Sequence, residues 1–188
     1  FLRCDNRTKL NVLYDLIVND CKKTPSLIMS VYGGAKYFQM NERLETEFMK
    51  GIVHVATIAD AWILTTGLNS GVAKLVGDGI AQSRLLSKQQ KEVIAIGLTQ
   101  WGSLTEKTRS LFKQICITEN EAEQNIIGTK LLNLRDSETL EWNHTYSLMF
   151  DNGQLNTYLS DYQRSAFVQA AVNDLNDPDN PHHSKYCV

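Results

Sequence analysis

Two glycine turns carry the clearest chemical possibility in this chain. "SLIMSVYGGAK" runs through a buried-type apolar stretch into Tyr32, Gly33, Gly34 and Lys36. "AWILTTGLNSGVAKL" repeats the arrangement, with Gly67, Asn69, Ser70 and Gly71 between an apolar run and a helical pattern. Backbone N–H groups at a helix N-terminus suit an anion, and glycine lets a phosphate approach closely. Neither turn is a P-loop, since no GK[ST] follows, and neither matches GxGxxG. The same residues also serve a plain chain reversal, and the local sequence leaves both readings open. Tyr158 and Arg164 form a third group: tyrosine stacks on a base and arginine binds phosphate bidentately. Read alone, such a pair is more often surface decoration.

Other chemistries are less supported. His54 falls beside the apolar face of a helical segment, and His144, His182 and His183 complete the set. "PDNPHH" with Asp174, Asp177 and Asp179 could hold a metal, but its composition is that of a solvated linker. There is no GxSxG, no cysteine in an activating motif and no carboxylate pair at a recognisable spacing. No catalytic base is nominated, so the expectation is a protein that is not an enzyme, with no catalytic residues, metal or cofactor. Trp101, after a third apolar run, reads as core.

The elements that must position these groups follow from periodicity. "TKLNVLYDLIVNDC" sets Leu10, Leu13, Tyr14, Ile17 and Val18 on one helical face. Leu27–Val31, Trp62–Thr65 and Val93–Ile96 are continuous apolar runs of the kind buried on both faces of a parallel sheet. A helix from Asn41, its N-cap, turns Leu44, Phe48, Ile52 and Val55 inward, and a second begins after Gly71. The stretch 118–143 is polar and reads as part of a variable surface excursion over 103–143. "TYSLMF" is a fourth strand, and "DYQRSAFVQAAVNDL" a helix burying Phe167, Ala170, Ala171 and Leu175. Residues 174–188 read as a linker and the start of a further strand. Alternating strands and helices imply an α/β fold with a parallel sheet and right-handed crossovers. Ligands of such sheets sit at the carboxyl ends of the strands, where both glycine turns fall.

Composition agrees with a single globular domain over residues 1–188. A net charge of −2 gives no electrostatic footprint for nucleic acid. No apolar run reaches the roughly 20 residues that span a bilayer. Cys4, Cys21, Cys116 and Cys187 match no disulfide or zinc spacing and are expected as free thiols. The "NRT" and "NHT" sequons, without a signal peptide, carry little weight. Phe1 is not an initiating methionine, and a piece of a longer chain is expected.

"PSLIMSVYGGAKYF", "GIVHVATIADAWILTTGLNSGVAKLVGDGIA", "VIAIGLTQWGSL" and "WNHTYSLMFDNGQ" occur in this order and spacing. Together they resemble the amino-terminal melastatin homology region of TRPM cation channels. The resemblance covers most of the chain and weakens between about Leu104 and Glu141. It implies a Rossmann-like, SLOG-type three-layer fold whose second half lies beyond Val188. It also implies a cytosolic regulatory domain of a tetrameric plasma-membrane channel, touching other channel domains and subunits, with no membrane insertion of its own. In the ADP-ribose-gated members the cleft binds that nucleotide, which acts with calcium. Those ligand positions fall on Tyr32, Gly33, Gly34, Lys36, Gly67, Asn69, Ser70, Gly71, Tyr158 and Arg164. Three departures stand out: the family commonly has threonine at Tyr32, asparagine near Tyr37, and a second glycine at Leu68. An assembly module with a vestigial cleft is the alternative these departures favour.

Overall fold

The computed structural model describes residues 1–33, 40–86 and 92–175, the side chain of Leu175 excepted. Its centre is a five-stranded, all-parallel sheet: β1 (Leu2–Asp5), β2 (Leu27–Ser30), β3 (Ala61–Thr65), β4 (Ala95–Gln100) and β5 (Tyr146–Asp151), in spatial order β1-β5-β4-β3-β2. Six α-helices among the described residues flank it: α1 (Leu10–Cys21), α2 (Glu42–Ile58), α3 (Gly71–Leu86), α4 (Glu106–Ile117), α5 (Glu121–Leu132) and α6 (Asp161–Leu175). The three expected apolar runs are neighbours in register, with Met29 opposite Ile63 and Ile63 opposite Ala95.

Strand alternation builds the three layers. Trp62, Leu64, Ile96, Leu98, Leu148 and Phe150 point to one face, where Tyr14 and Ile17 of α1 and Phe167 and Ala171 of α6 cover them. Ala61, Ile63 and Ala95 point to the other, against Val53 and Ala56 of α2 and Val72, Val76 and Ile80 of α3. Met149 continues that second face under α4 and α5. Both faces of the central strands are therefore dry, which is why their sequences read as unbroken apolar runs.

The structure alters four details of the sequence reading. First, β1 was not foreseen: its four residues give too short an alternation, with Leu2 and Cys4 against the core and Arg3 and Asp5 exposed. Second, the third run enters the sheet at Ala95, after Val93 and Ile94. Third, α2 is rotated from its expected face. Phe48 and Ile52 pack against the core as expected, but the buried residues are Val53 and Ala56, while Leu44 and Val55 are 53% and 44% exposed. The reason is a close crossing at Gly79 of α3, where a Cβ would stand 3.0 Å from that of Met49 and 3.3 Å from Val53 Cγ2. Fourth, 118–143 is not only surface. The helix α5 and the segment after it bury Ile127, Leu131, Leu134 and Leu140 against Phe112 and Met149. The linker residues Asp177, Asp179, His182 and His183, and Cys187, lie outside the described residues. Cys4, Cys21 and Cys116 are free thiols.

A buried polar network fixes the loop before β5. The His144 ring places Nδ1 2.7 Å from Glu141 Oε2 and Nε2 2.7 Å from Thr65 Oγ1. An ionised carboxylate only accepts, so Nδ1 carries the proton. The Asn143 N–H and side-chain amide also donate to Glu141, at 2.9 and 2.7 Å. Gly77 of α3 leaves the carboxylate its space, since a Cβ there would strike Glu141. Burial works to raise the Glu141 pKa, but the bonds from His144 and Asn143 outweigh it, and the net effect is a lowered one. The order hydroxyl–imidazole–carboxylate is that of a nucleophilic triad. Here Thr65 is fully buried and its oxygen also accepts the Gly67 N–H at 2.8 Å, so the trio holds a turn in place.

Two predictions follow from these contacts. Gly67 and Gly97 touch backbone to backbone: a Cβ on Gly97 would lie 2.5 Å from Gly67 Cα. Gly97→Ala is expected to cost about 1–3 kcal/mol, read as a drop of several degrees in thermal melting. Glu141 has a folded pKa below its unfolded one. Its contribution to stability is therefore present above the unfolded value and lost as pH falls through the folded one. Glu141→Gln should destabilise by about 1.5–3 kcal/mol at pH 7. The gap from the unsubstituted protein should shrink below about pH 4 in urea melts; a gap independent of pH contradicts the ionised network.

Candidate functional site

The carboxyl ends of all five strands open on one rim, and three of the sequence-nominated groups meet that rim differently. The helices that follow β2, β3 and β4 cover one face, whereas those that follow β1 and β5 cover the other. The switch point, where open α/β sheets hold ligands, thus falls between β4 and β5. In this protein the chain itself closes that crevice. Gly102 packs so tightly on the Gln154 carbonyl that a Cβ would overlap it. Asn156 N–H donates to Gly102 O at 2.8 Å and Gln100 Nε2 to Asn152 Oδ1 at 2.8 Å. Trp101 is buried, as expected, and the Arg3 guanidinium lies 4.5 Å from its ring centre.

The second glycine turn is committed to the fold. Gly67, with φ +68, spends its N–H on Thr65 Oγ1. The Asn69 N–H donates to Thr139 O at 2.9 Å and the Ser70 N–H to Leu68 O at 2.8 Å. Asn69 Nδ2 reaches Arg135 O at 3.3 Å. Leu68 forms an antiparallel bridge with Leu140, and Glu141 N–H donates to Gly67 O at 2.9 Å. Gly71, with φ +54, opens α3. The glycines here serve a tight reversal locked by the segment before β5. His144 and Glu141, which do the locking, escaped the sequence reading because they are 70 or more residues from the turn and match no spacing motif.

Tyr32 and Arg164 come together. Tyr32 follows β2 at one edge of the sheet, and Arg164 lies in the first turns of α6 after β5. The Arg164 guanidinium stands 4.8 Å from the Tyr32 ring centre. Its Nη1 donates to Asp161 Oδ1 at 2.9 Å, and the arginine side chain is only 15% exposed. This is not the surface arginine that sequence alone suggests. Tyr32 Oη and Arg164 Nε are both buried without a hydrogen-bond partner among the described residues, as is Thr157 Oγ1 in the loop before α6. Burial pushes the Tyr32 phenol up to about 12, with the Arg164 charge pulling the other way. Gly33 takes φ +117 with open space around it, so it is there for its backbone angle. Tyr158 is 71% exposed and is not drawn into the pair. Gly34, Lys36 and Tyr37 lie outside the described residues.

None of the helices among the described residues is long and apolar enough to cross a membrane. Among the same residues no cluster of three or more histidine, cysteine or carboxylate side chains is arranged to hold a metal.

Comparison with known proteins places this geometry in a family. A family model described as "SLOG in TRPM" matches residues 1–179. The transient receptor potential cation channel subfamily M member 1 of Mus musculus is 31% identical over 159 residues, covering 84% of this chain and 9% of that protein. Subfamily M member 2 of Mus musculus is 30% identical over 165 residues, covering 84% of this chain and 10% of that protein. The subfamily M member-like 2 protein of Nematostella vectensis is 28% identical over 173 residues, or 92% of this chain and 11% of its own length. The chain thus spans about a tenth of the length of the curated relatives it matches. With the parallel sheet, the helices on both faces and the match over nearly its whole length, the chain belongs to the SLOG family of TRPM channels.

Proposed function

We propose that this domain is a ligand-sensing element of a TRPM-type channel, holding ADP-ribose or a related nucleotide at the carboxyl rim of the sheet and biasing gating without turning it over. The observation that carries the reading is Arg164: a guanidinium largely withdrawn from water, at the start of a helix, with a buried Nε that no group among the described residues satisfies. An unpaired buried donor on a cation is costly, and a phosphate oxygen is the acceptor that removes the cost. The helix N-terminus adds a favourable field for an anion. The domain would lie at the cytosolic face of a plasma-membrane channel, as part of a tetramer. Sensing requires that the ligand bind the open-prone arrangement better than the closed one.

A second reading is a pure assembly module. It is favoured by the Gly67 turn, whose amides at Gly67, Asn69 and Ser70 already have acceptors within the chain. An enzyme related to the fold by descent is the third possibility that the experiment separates.

Calorimetry of the protein with ADP-ribose, ATP and cyclic ADP-ribose, with product analysis, decides among them. Binding without turnover is the expected result, silence with all three favours assembly, and product formation favours the enzyme. Arg164→Ala should weaken binding by about 10- to 150-fold, the worth of a charge-assisted bidentate contact. Arg164→Lys should recover part of that loss, since a point charge lacks the planar fork. An affinity unchanged in Arg164→Ala overturns the site.

A further inference from the structure

The rotation of α2 leaves an outer face that no described element covers. Leu44, Val55 and Ile58 are 53%, 44% and 67% exposed, and Gly51 among them is exposed as well. At 3.6 residues per turn these four fall within an arc of about 60°, roughly opposite the buried Val53 and Ala56. An apolar row on the outside of a surface helix inverts the usual pattern, in which that side is polar. Gly51 is a second departure. It stands inside a helix of 17 residues, and a Cβ there would meet nothing within 4 Å. Glycine weakens a helix interior, and neither a positive φ nor a close neighbour requires it here. Gly77 and Gly79 of α3, by contrast, each make room for a side chain of this chain. The distance between packed helices is set by the side chains at their crossing, so an exposed glycine in an apolar row admits a second helix most closely.

The row complements its own copy. Leu44 and Ile58 lie seven residues before and seven after Gly51, and Glu47 and His54 lie four before and three after it, on one flank. Two such helices packed antiparallel about Gly51 set each Leu44 against the second copy's Ile58. The two-fold axis of such a pair keeps like flanks together. Each Glu47 then stands beside the second copy's His54, offset by one residue rise, about 1.5 Å, along the helix. The imidazole has an N–H to give the carboxylate in either protonation state. We propose that this face of α2 is a self-association site: two copies of the protein pair antiparallel through Leu44, Gly51, Val55 and Ile58, with Glu47 and His54 exchanged across the contact. The inference does not rest on the nucleotide reading, since α2 and α6 cover opposite faces of the sheet. The row spans about 21 Å of helix, which puts the contact at the small end of specific interfaces and makes it weak and reversible.

Sedimentation equilibrium of the protein, with thermal melting of each variant at low concentration to confirm folding, tests the pair. The unsubstituted protein should pass from monomer to dimer over about 10 to 500 µM, the range of a small interface. Val55→Lys sets a charge in the row and should weaken dimerisation about 10-fold or more. Gly51→Ala should move two readouts in opposite directions. The monomer should melt at a higher temperature, because alanine is the better helix former, while the added methyl groups at the crossing weaken dimerisation about 5-fold or more. Glu47→Lys should weaken it about 2- to 30-fold through its two symmetric pairs, and Glu47→Lys with His54→Glu should restore it. A protein that stays monomeric throughout overturns the proposal and leaves the face to another occupant, such as a helix of a longer chain. A dimer indifferent to Val55→Lys lies on some other face, which overturns it too. Association unchanged in Gly51→Ala sinks the crossing point, and a loss in Glu47→Lys that His54→Glu does not restore sinks the antiparallel register.

Discussion

A carboxylate buried beside a glycine of α3 is the constraint on which the rim depends. Glu141 sits where Gly77 leaves room for it, and its charge is satisfied by His144 and by Asn143. Removing a charge from water costs several kcal/mol before any compensation. The network therefore forms as a whole or not at all, and forming it fixes three things together. It ties the end of β3 through Thr65, it seats the Gly67 turn, and it delivers the chain into β5. The close backbone contact of Gly67 with Gly97 then sets how near the turn lies to β4. A glycine turn that resembles a phosphate cradle in sequence is thereby made into masonry, while Tyr32 Oη, Thr157 Oγ1 and Arg164 Nε, buried without partners among the described residues, lie outside it.

The fold was largely legible because its strands are dry on both faces. Ile63, Leu64, Ile96 and Leu98 are fully buried, and a strand in that situation has no polar side to hide its pattern. The helix α5 was illegible for the opposite reason. Its apolar residues come in adjacent pairs, one inward and one outward: Ile127 buried beside Ile126 at 57% exposure, Leu131 buried beside Leu132 at 53%. Neighbours on a helix are about 100° apart, so such pairs smear the period that marks a buried face. The phase of α2 was missed because contact geometry at Gly79, and not the helix's own pattern, decides which side is covered.

The rim shows the same division. That Tyr32 and Arg164 belong to one site came from family resemblance, since they are 132 positions apart in sequence. That they touch, and that Asp161 shares the guanidinium, is a property of how α6 packs beside α1 over one face of the sheet. Glu141 and His144 lie three residues apart within a polar stretch, and without the turn they brace, nothing marks them as a pair. Long-range polar pairing has no periodicity, so only tertiary structure reveals it.

The strand order carries a consequence for how the chain is assembled. Pairing Leu2 with Leu148 closes a loop that contains most of the described protein, whereas β2, β3 and β4 pair through single crossovers. Loop closure is repaid late when the partners are far apart in sequence, which slows contacts of this kind relative to local ones. Among the five strands described, the first to be synthesised is thus the one whose partner is made last. Until β5 exists, Leu2 and Cys4 lack the strand they pair with, and the body from β2 to β4 takes shape with an open edge at β4 that β5 and then β1 later cover.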